Sequence, residues 1–164
     1  MPSLALYQPD IPQNAGSMLR LCACLAVEAH VIEPAGFDMS DRALKRAGMD
    51  YLAHIAPIRH LGFGEFEAWR KPTGRRLVLL TTKAAQPYAE FMFRTDDIIM
   101  VGRESAGVPD AVHAAADARL LIPMAAGLRS LNVATAAAMV LGEALRQTSG
   151  FPVQAVVAAR ARTQ

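Results

Sequence analysis

The chain of 164 residues has little cysteine and little aromatic character: two Cys, one Trp, and aromatics at 6% of the whole. Two cysteines cannot staple a small secreted scaffold. Cys22 and Cys24 stand two apart in a helical pattern, where side chains diverge, so no disulfide is expected and both read as small core residues. No apolar run reaches the about 18 residues a membrane span needs, and the opening MPSLALYQPD has no basic region followed by an apolar one. The expectation is a cytoplasmic protein without a membrane partner. His30, His54, His60 and His113 form neither an HExxH pair nor a cluster with the cysteines at zinc-ligand spacing, so no metal site is expected. Charge of one sign is not in excess either, with 17 Lys and Arg against 15 Asp and Glu.

What is present is an apolar fraction of 52% with 20% charged residues, enough for a packed core. A chain near this length buries about 68 to 70% of its unfolded surface, which fits one domain, expected over residues 1–152 with a short tail at 153–164. The small net charge is unevenly spread. Between 42 and 76, Arg42, Lys45, Arg46, Arg59, Arg70, Lys71, Arg75 and Arg76 face only Asp50, Glu65 and Glu67. Such a local excess suits a polyanion approaching one face, and it suits equally a pair of solvated helices.

Strand patterns fall at Leu4–Tyr7, His30–Glu33, His54–Ile58, Leu77–Thr82, Ile98–Val101 and Leu120–Pro123. Helical patterns lie between them at Ala15–Ala26, Asp41–Gly48, Gly64–Arg70, Tyr88–Phe93 and Pro109–Ala116, followed by a long one over Leu131–Gln147. Ser40 is placed to cap the second of these helices, while Gly48 and Gly150 suit helix ends. The alternation predicts an α/β fold with a mostly parallel, six-stranded sheet and helices on both faces. The last helix, with Ala136 to Leu141 apolar in succession, should be buried on most of its surface, by the sheet on one side and by a second subunit on the other.

Familiar nucleotide motifs fail. Gly62-Phe63-Gly64 starts like a dinucleotide turn, but Glu67 occupies the third glycine position. Gly102 and Gly107 have the outer spacing of a P-loop, yet Val108 and Pro109 stand where Lys and Ser/Thr must bind phosphate and magnesium. A serine nucleophile elbow around Ser105 would need glycine at Arg103.

Three constellations remain, each following a strand. The first is IPQNAGSMLRLC, in which Asn14 is placed to cap the helix and Arg20 lies on its second turn; an arginine between Leu19 and Leu21 also suits snorkelling from an apolar face. The second is VGRESAGVP, a glycine loop carrying one carboxylate, Glu104. The third runs from Ile122 to Val133, where Ser130 and Asn132 can cap the last helix, with plain capping a sufficient reason for both. Together they put Asn, Arg, Glu and Ser side chains at the carboxyl ends of strands, the edge where open α/β sheets bind ligands.

At these residues the chain resembles the SPOUT class of RNA methyltransferases, and within it the tRNA ribose 2′-O-methyltransferases of the wobble-position cytidine/uridine subfamily. The segments LYQPDIPQNAGSMLRLC, IEPAGF, RAGMDY, LLTTK, VGRESAGVP and IPMAAGLRSLNVATAAAMVLGEALRQ occur in family order and spacing from Leu4 to about Pro152. Ala134 departs from the hydroxyl residue many relatives carry there. The resemblance implies the α/β-knot fold with a C-terminal trefoil knot, which the general rarity of threaded chains would not predict. It also implies S-adenosylmethionine as cofactor, the anticodon stem-loop of tRNA rather than DNA as partner, and a homodimer with its sites at the subunit interface.

Carried over by position, Leu80, Gly102, Glu104, Gly107, Ile122, Ser130 and Leu131 should line the cofactor pocket. Arg20 should act on the ribose 2′-hydroxyl, with Asn14, Glu104, Ser130 and Asn132 positioning the nucleotide and the catalytic groups. A sugar hydroxyl must lose its proton as it attacks, and an arginine with a pKa above about 12 is an awkward base, so stabilising the developing alkoxide or positioning a phosphate is an equal account of Arg20. Arg42, Lys45, Arg46 and Arg59 are expected to hold RNA phosphates. The alternatives are 2′-O-methylation of another tRNA or rRNA ribose, methylation of a base nitrogen, or a non-catalytic RNA-binding dimer that keeps the fold.

Overall fold

A computed structural model describes residues 1–39 and 56–153. A parallel sheet carries the chain in the order β3-β2-β1-β6-β4-β7-β5. Its strands are β1 (Ser3–Tyr7), β2 (Ala29–Ile32), β3 (Ile58–His60), β4 (Leu77–Leu80), β5 (Gln86–Pro87), β6 (Ile98–Val101) and β7 (Ala118–Leu121). The helices are α1 (Pro12–Leu25), α2 (Phe63–Thr73), α3 (Asp110–Ala115) and α4 (Val133–Gln147).

Strand periodicity sorts the core into two layers. Leu4, Leu6, Val31, Val78, Ile99, Val101 and Leu120 point toward α1 and α4, where Met18, Leu19, Cys22, Val140, Leu141 and Leu145 meet them. Ala5, Tyr7, Ile32, Leu77, Leu79, Ile98 and Met100 point the other way, onto Phe66 of α2 and Val112 of α3. Helices therefore cover both faces, as the alternating pattern predicts.

Several expectations are corrected. Among the described residues the sheet has seven strands rather than six, because two residues of the LLTTK-to-Tyr88 connection, Gln86 and Pro87, pair with Leu120 and Leu121; a strand of two residues has no period to read. The strand expected at His54–Ile58 is Ile58–His60 among the described residues, and Leu120–Pro123 moves two residues earlier, to Ala118–Leu121. The Tyr88–Phe93 helix contracts to a single 3₁₀ turn, Tyr88–Glu90, with extended backbone on either side. The expected helix Asp41–Gly48 and its cap Ser40 lie outside the described residues.

Helix α1 begins at Pro12, with Ile11 at its N-cap position and no side-chain cap. Proline at the first helical position needs no N–H partner and starts the helix two residues before Asn14, so Asn14 is not the cap and its side chain is released for another contact. Cys22 is buried but Cys24 is exposed, since two positions along the helix rotate the side chain out of the core. On α4, Ala137, Val140, Leu141, Ala144 and Leu145 form the face packed within the chain, while Ala138 and Met139 are exposed in the single chain, on the side expected to meet a second subunit. At its end the left-handed position is taken by Ser149 (φ 52°) instead of Gly150, whose N–H closes the helix on Leu145 O at 2.8 Å. Among the described residues no helix is long and apolar enough to cross a membrane.

Candidate active site

The four adjacent central strands β1, β6, β4 and β7 all release their loops at the same carboxyl edge, and there the loops enclose a cavity of about 460 Å³. That size falls in the range of small-molecule sites. Leu79 and Leu80 with Thr81 and Thr82 line it from β4, Val101 to Glu104 with Gly107 and Val108 from β6, Ile122 and Met124 from β7, and Ser130 to Val133 with Ala136 from the entry into α4. All seven residues expected around a cofactor, Leu80, Gly102, Glu104, Gly107, Ile122, Ser130 and Leu131, are on this wall, and so are Asn14 and Asn132.

The loop after β6 folds back on itself. Arg103 N–H donates to Gly107 O at 3.0 Å and Gly107 N–H to Arg103 O at 2.8 Å. Gly107 takes φ +65°, a conformation that favours glycine. Gly102 is glycine for a different reason: a Cβ there would lie 2.8 Å from the Gly107 carbonyl carbon, a backbone atom that cannot move aside without opening the turn. Glu104 is thereby held at the tip, on the cavity wall.

Side chains distant in sequence converge on Glu104. Asn14 Nδ2 donates to Glu104 Oε1 at 3.0 Å, and Asp10 N–H donates to Glu104 Oε2 at 3.2 Å. Asn132 Nδ2 donates to Asn14 Oδ1 at 2.9 Å, while Asn132 Oδ1 accepts from the N–H groups of Ala134 and Thr135 and so caps α4. Asn132 is the cap that sequence reading expects, whereas Ser130 is a wall residue and not a cap.

Sequence reasoning missed Asp10, Arg103, Thr81, Thr82 and Met124. Asp10 could have been found, because it sits between strand β1 and the proline that opens α1, at the same edge as the three constellations.

Arg20 does not line the cavity. It lies on the exposed face of α1, about 120° around the helix from Asn14. The expected phosphate contact Arg59 is half exposed and ion-paired, its Nε 2.7 Å from Glu33 Oε1. The other described members of the basic segment are also paired: Arg70 with Glu67 and Asp117, Lys71 with Glu67, Arg75 with Glu28, and Arg76 with Asp97. Among the described residues, the positive charge of this segment is thus largely answered by acids from elsewhere in the chain. Arg42, Lys45 and Arg46 lie outside the described residues. Among the described residues no three His, Cys, Asp or Glu side chains are grouped to hold a metal ion.

Comparison with known proteins places this geometry. The model of the SpoU rRNA methylase family matches residues 1–160. A tRNA (cytidine(34)-2′-O)-methyltransferase of Beijerinckia indica subsp. indica is 71% identical over 148 residues, 90% of this chain and 92% of that protein. A solved structure concerned with the 2-OH methylation of C/U34 on tRNA superposes with TM-score 0.84 at 41% identity, covering 92% of this chain and 97% of that one. The SpoU methyltransferase AviRb from Streptomyces viridochromogenes, in complex with the cofactor AdoMet, superposes with TM-score 0.78 at 27% identity over 90% of this chain and 60% of its own.

Proposed function

The chain belongs to the SpoU rRNA methylase family, and from that premise we propose that it is a tRNA 2′-O-methyltransferase acting on the ribose of the wobble cytidine or uridine. The observation that carries this reading is the gathering of the family's positions from four strands around one cavity, beside close likeness over nearly the whole chain to relatives bearing that activity. Residues 1–152 form the catalytic domain, cytoplasmic in location, with the trefoil threading of the family at its carboxyl end.

The cavity suits S-adenosylmethionine. It combines an apolar wall of Leu79, Leu80, Val101, Ile122 and Leu131 with closely approaching glycine backbone at 102 and 107, and Glu104 adds a negative charge that favours a cationic ligand. When bound, the cofactor supplies an electrophilic methyl group on a positively charged sulfur. Glu104 is oriented by both of its oxygens and, with Asn14, Ser130 and Asn132, holds the nucleotide at the mouth. Arg20 steadies the charge that develops on the 2′-oxygen as its proton passes to solvent water.

Because Arg20 is on the outer face of α1, its role fits a homodimer in which each cavity receives Arg20 of the partner subunit, with the exposed Ala138 and Met139 of α4 and Leu128 and Leu131 beside it as the apolar surface to be covered. Phosphates of the anticodon stem-loop are held by Arg42, Lys45, Arg46 and Arg59.

The test is incubation of the purified protein with labelled S-adenosylmethionine and unmodified tRNA, then nuclease digestion and mass spectrometry. The expected product is a 2′-O-methylated pyrimidine at the wobble position. Label on a different ribose would move the site, and label on a base would overturn the reaction type.

A further inference from the structure

Glu104 occupies the tip of a turn closed only by the backbone pair Arg103–Gly107, and a turn of that size leaves the tip side chains free to rotate. What restrains this tip comes from outside the loop. Asp10, three residues beyond the end of β1, meets all of Arg103, Glu104 and Ser105 with one carboxylate. Its Oδ1 accepts from Glu104 N–H at 3.1 Å, its Oδ2 accepts from the Ser105 hydroxyl, and Oδ2 lies 3.6 Å from Arg103 Nε. That Nε is buried and makes no hydrogen bond among the described residues, so charge attraction to Asp10 is what compensates it. In return, Asp10 N–H donates to the Glu104 carboxylate. Asp10 is itself braced from behind: Gly36 N–H donates to Pro9 O at 2.9 Å, and a Cβ on Gly36 would stand 2.9 Å from the Asp10 Cα.

Such a reciprocal pair does more than stiffen a loop. It fixes the direction of the Glu104 carboxylate relative to α1, the helix that carries Asn14 and Arg20. We propose that Asp10 is a positioning residue for the methyl transfer, acting through Glu104. The inference rests on the proposed function, since it needs Glu104 to face the reacting nucleotide.

If Asp10 acts through Glu104, removing it should matter only while Glu104 is intact. The experiment compares the purified full-length wild type with Asp10→Ala, Asp10→Asn, Glu104→Gln and the double variant Asp10→Ala/Glu104→Gln. Single-turnover methyl transfer to unmodified tRNA is measured at saturating cofactor, together with the KM for cofactor. Asp10→Ala should slow transfer roughly 10- to 100-fold, the loss falling on the rate and not on KM. Asp10→Asn keeps an acceptor for Glu104 N–H and should lie between it and the wild type. The double variant should be no slower than Glu104→Gln alone.

A rate for Asp10→Ala within twofold of the wild type overturns the inference, and so does a double variant in which the two losses multiply. If Asp10→Ala does not fold, Asp10→Asn enters the same cycle with the same criteria. A wild type that transfers methyl to no tRNA overturns the proposed function and this inference with it, whereas an active wild type with an unimpaired Asp10 variant overturns the inference alone.

Discussion

Asn132 and Asn14, 118 positions apart in the chain, are joined side chain to side chain at 2.9 Å. The bond ties the start of α4 to the first turn of α1 and continues through Asn14 to Glu104. Asn132 therefore has two tasks that different atoms perform: Oδ1 caps α4, and Nδ2 holds Asn14.

Those tasks can be separated. Asn132→Asp keeps the capping acceptor, and a negative charge at a helix N-terminus is favourable, but the donor to Asn14 is gone. Its thermal midpoint should match the wild type, while methyl transfer falls by about tenfold or more. Asn132→Ala should lose a similar activity and about 1 kcal/mol of stability in addition. Thermal melts and transfer assays on the two variants check this, and an active Asn132→Asp would make the residue a cap only.

The two glycines of the turn after β6 should respond differently. Gly102→Ala drives a Cβ into the Gly107 backbone at 2.8 Å and must open the turn that forms part of the cavity wall. Cofactor affinity, read by calorimetry, should drop by about tenfold or more. Gly107→Ala meets no atom within 4 Å and suffers only its positive φ, a cost of roughly 1 to 2 kcal/mol in stability with a smaller loss of affinity. Equal affinity in wild type and Gly102→Ala would show that the cofactor does not lie against this turn.

Stability should depend on pH through a buried histidine pair remote from the cavity. His30 Nδ1 lies 3.2 Å from His60 Nε2, and His30 Nε2 lies 3.0 Å from Glu28 Oε1, with Arg75 paired to the same carboxylate. Burial pushes His30 down to about 4 from 6.5, against the opposing pull of Glu28, while His60 and Arg75 add to the lowering. His60 is lowered too, again chiefly by burial, with Glu65 acting the other way. The folded pKa of His30 is below the unfolded one, so between them the unfolded chain binds more protons. Stability is therefore full above pH 6.5 and falls as pH drops toward 4. Urea unfolding should show a loss of about 2 kcal/mol from neutral pH to about pH 5. Trp69, the one tryptophan, reports it, since its ring centroid is 4.6 Å from that of His30. His30→Gln should flatten the dependence, and an unchanged slope in that variant would place its origin elsewhere.

The central strands were legible in sequence because apolar and β-branched residues cluster where both faces of a parallel sheet are buried, as in Leu4–Tyr7 and Ile98–Val101. The cavity wall was legible through family positions, which lie at strand ends, in the loops that follow them and at the starts of α1 and α4. Less legible was anything that depends on which residue meets which. Asn14 read as a cap because asparagine favours that position, although Pro12 two residues earlier is itself a helix-start signal. The position of Asp10 at the carboxyl edge was legible, but its task was not, because its partners are 94 and 95 residues away. The basic run looked free because Asp97, Asp117 and Glu28, which neutralise its arginines, come from other strands' flanks.

Arg20 gives the sharpest test of assembly. It is exposed on α1 and does not line the cavity of its own chain, and in the proposed dimer each site combines one subunit's cavity with the other's arginine. Arg20→Ala should abolish transfer, and Arg20→Lys should stay strongly impaired if the planar guanidinium is needed to steady the 2′-oxygen. Arg20→Ala and Gly102→Ala subunits, assayed at a cofactor concentration well below the weakened Kd of the second so that each has little activity alone, should complement when coexpressed with different tags. In a mixed dimer the intact cavity of the Arg20→Ala subunit receives the arginine of the Gly102→Ala subunit, while the second site lacks both. Random pairing makes half the dimers mixed with one working site in each, so about a quarter of wild-type activity should return. If Arg20 served its own subunit's cavity, no mixed dimer would contain a complete site, and the mixture would remain as inactive as its parts.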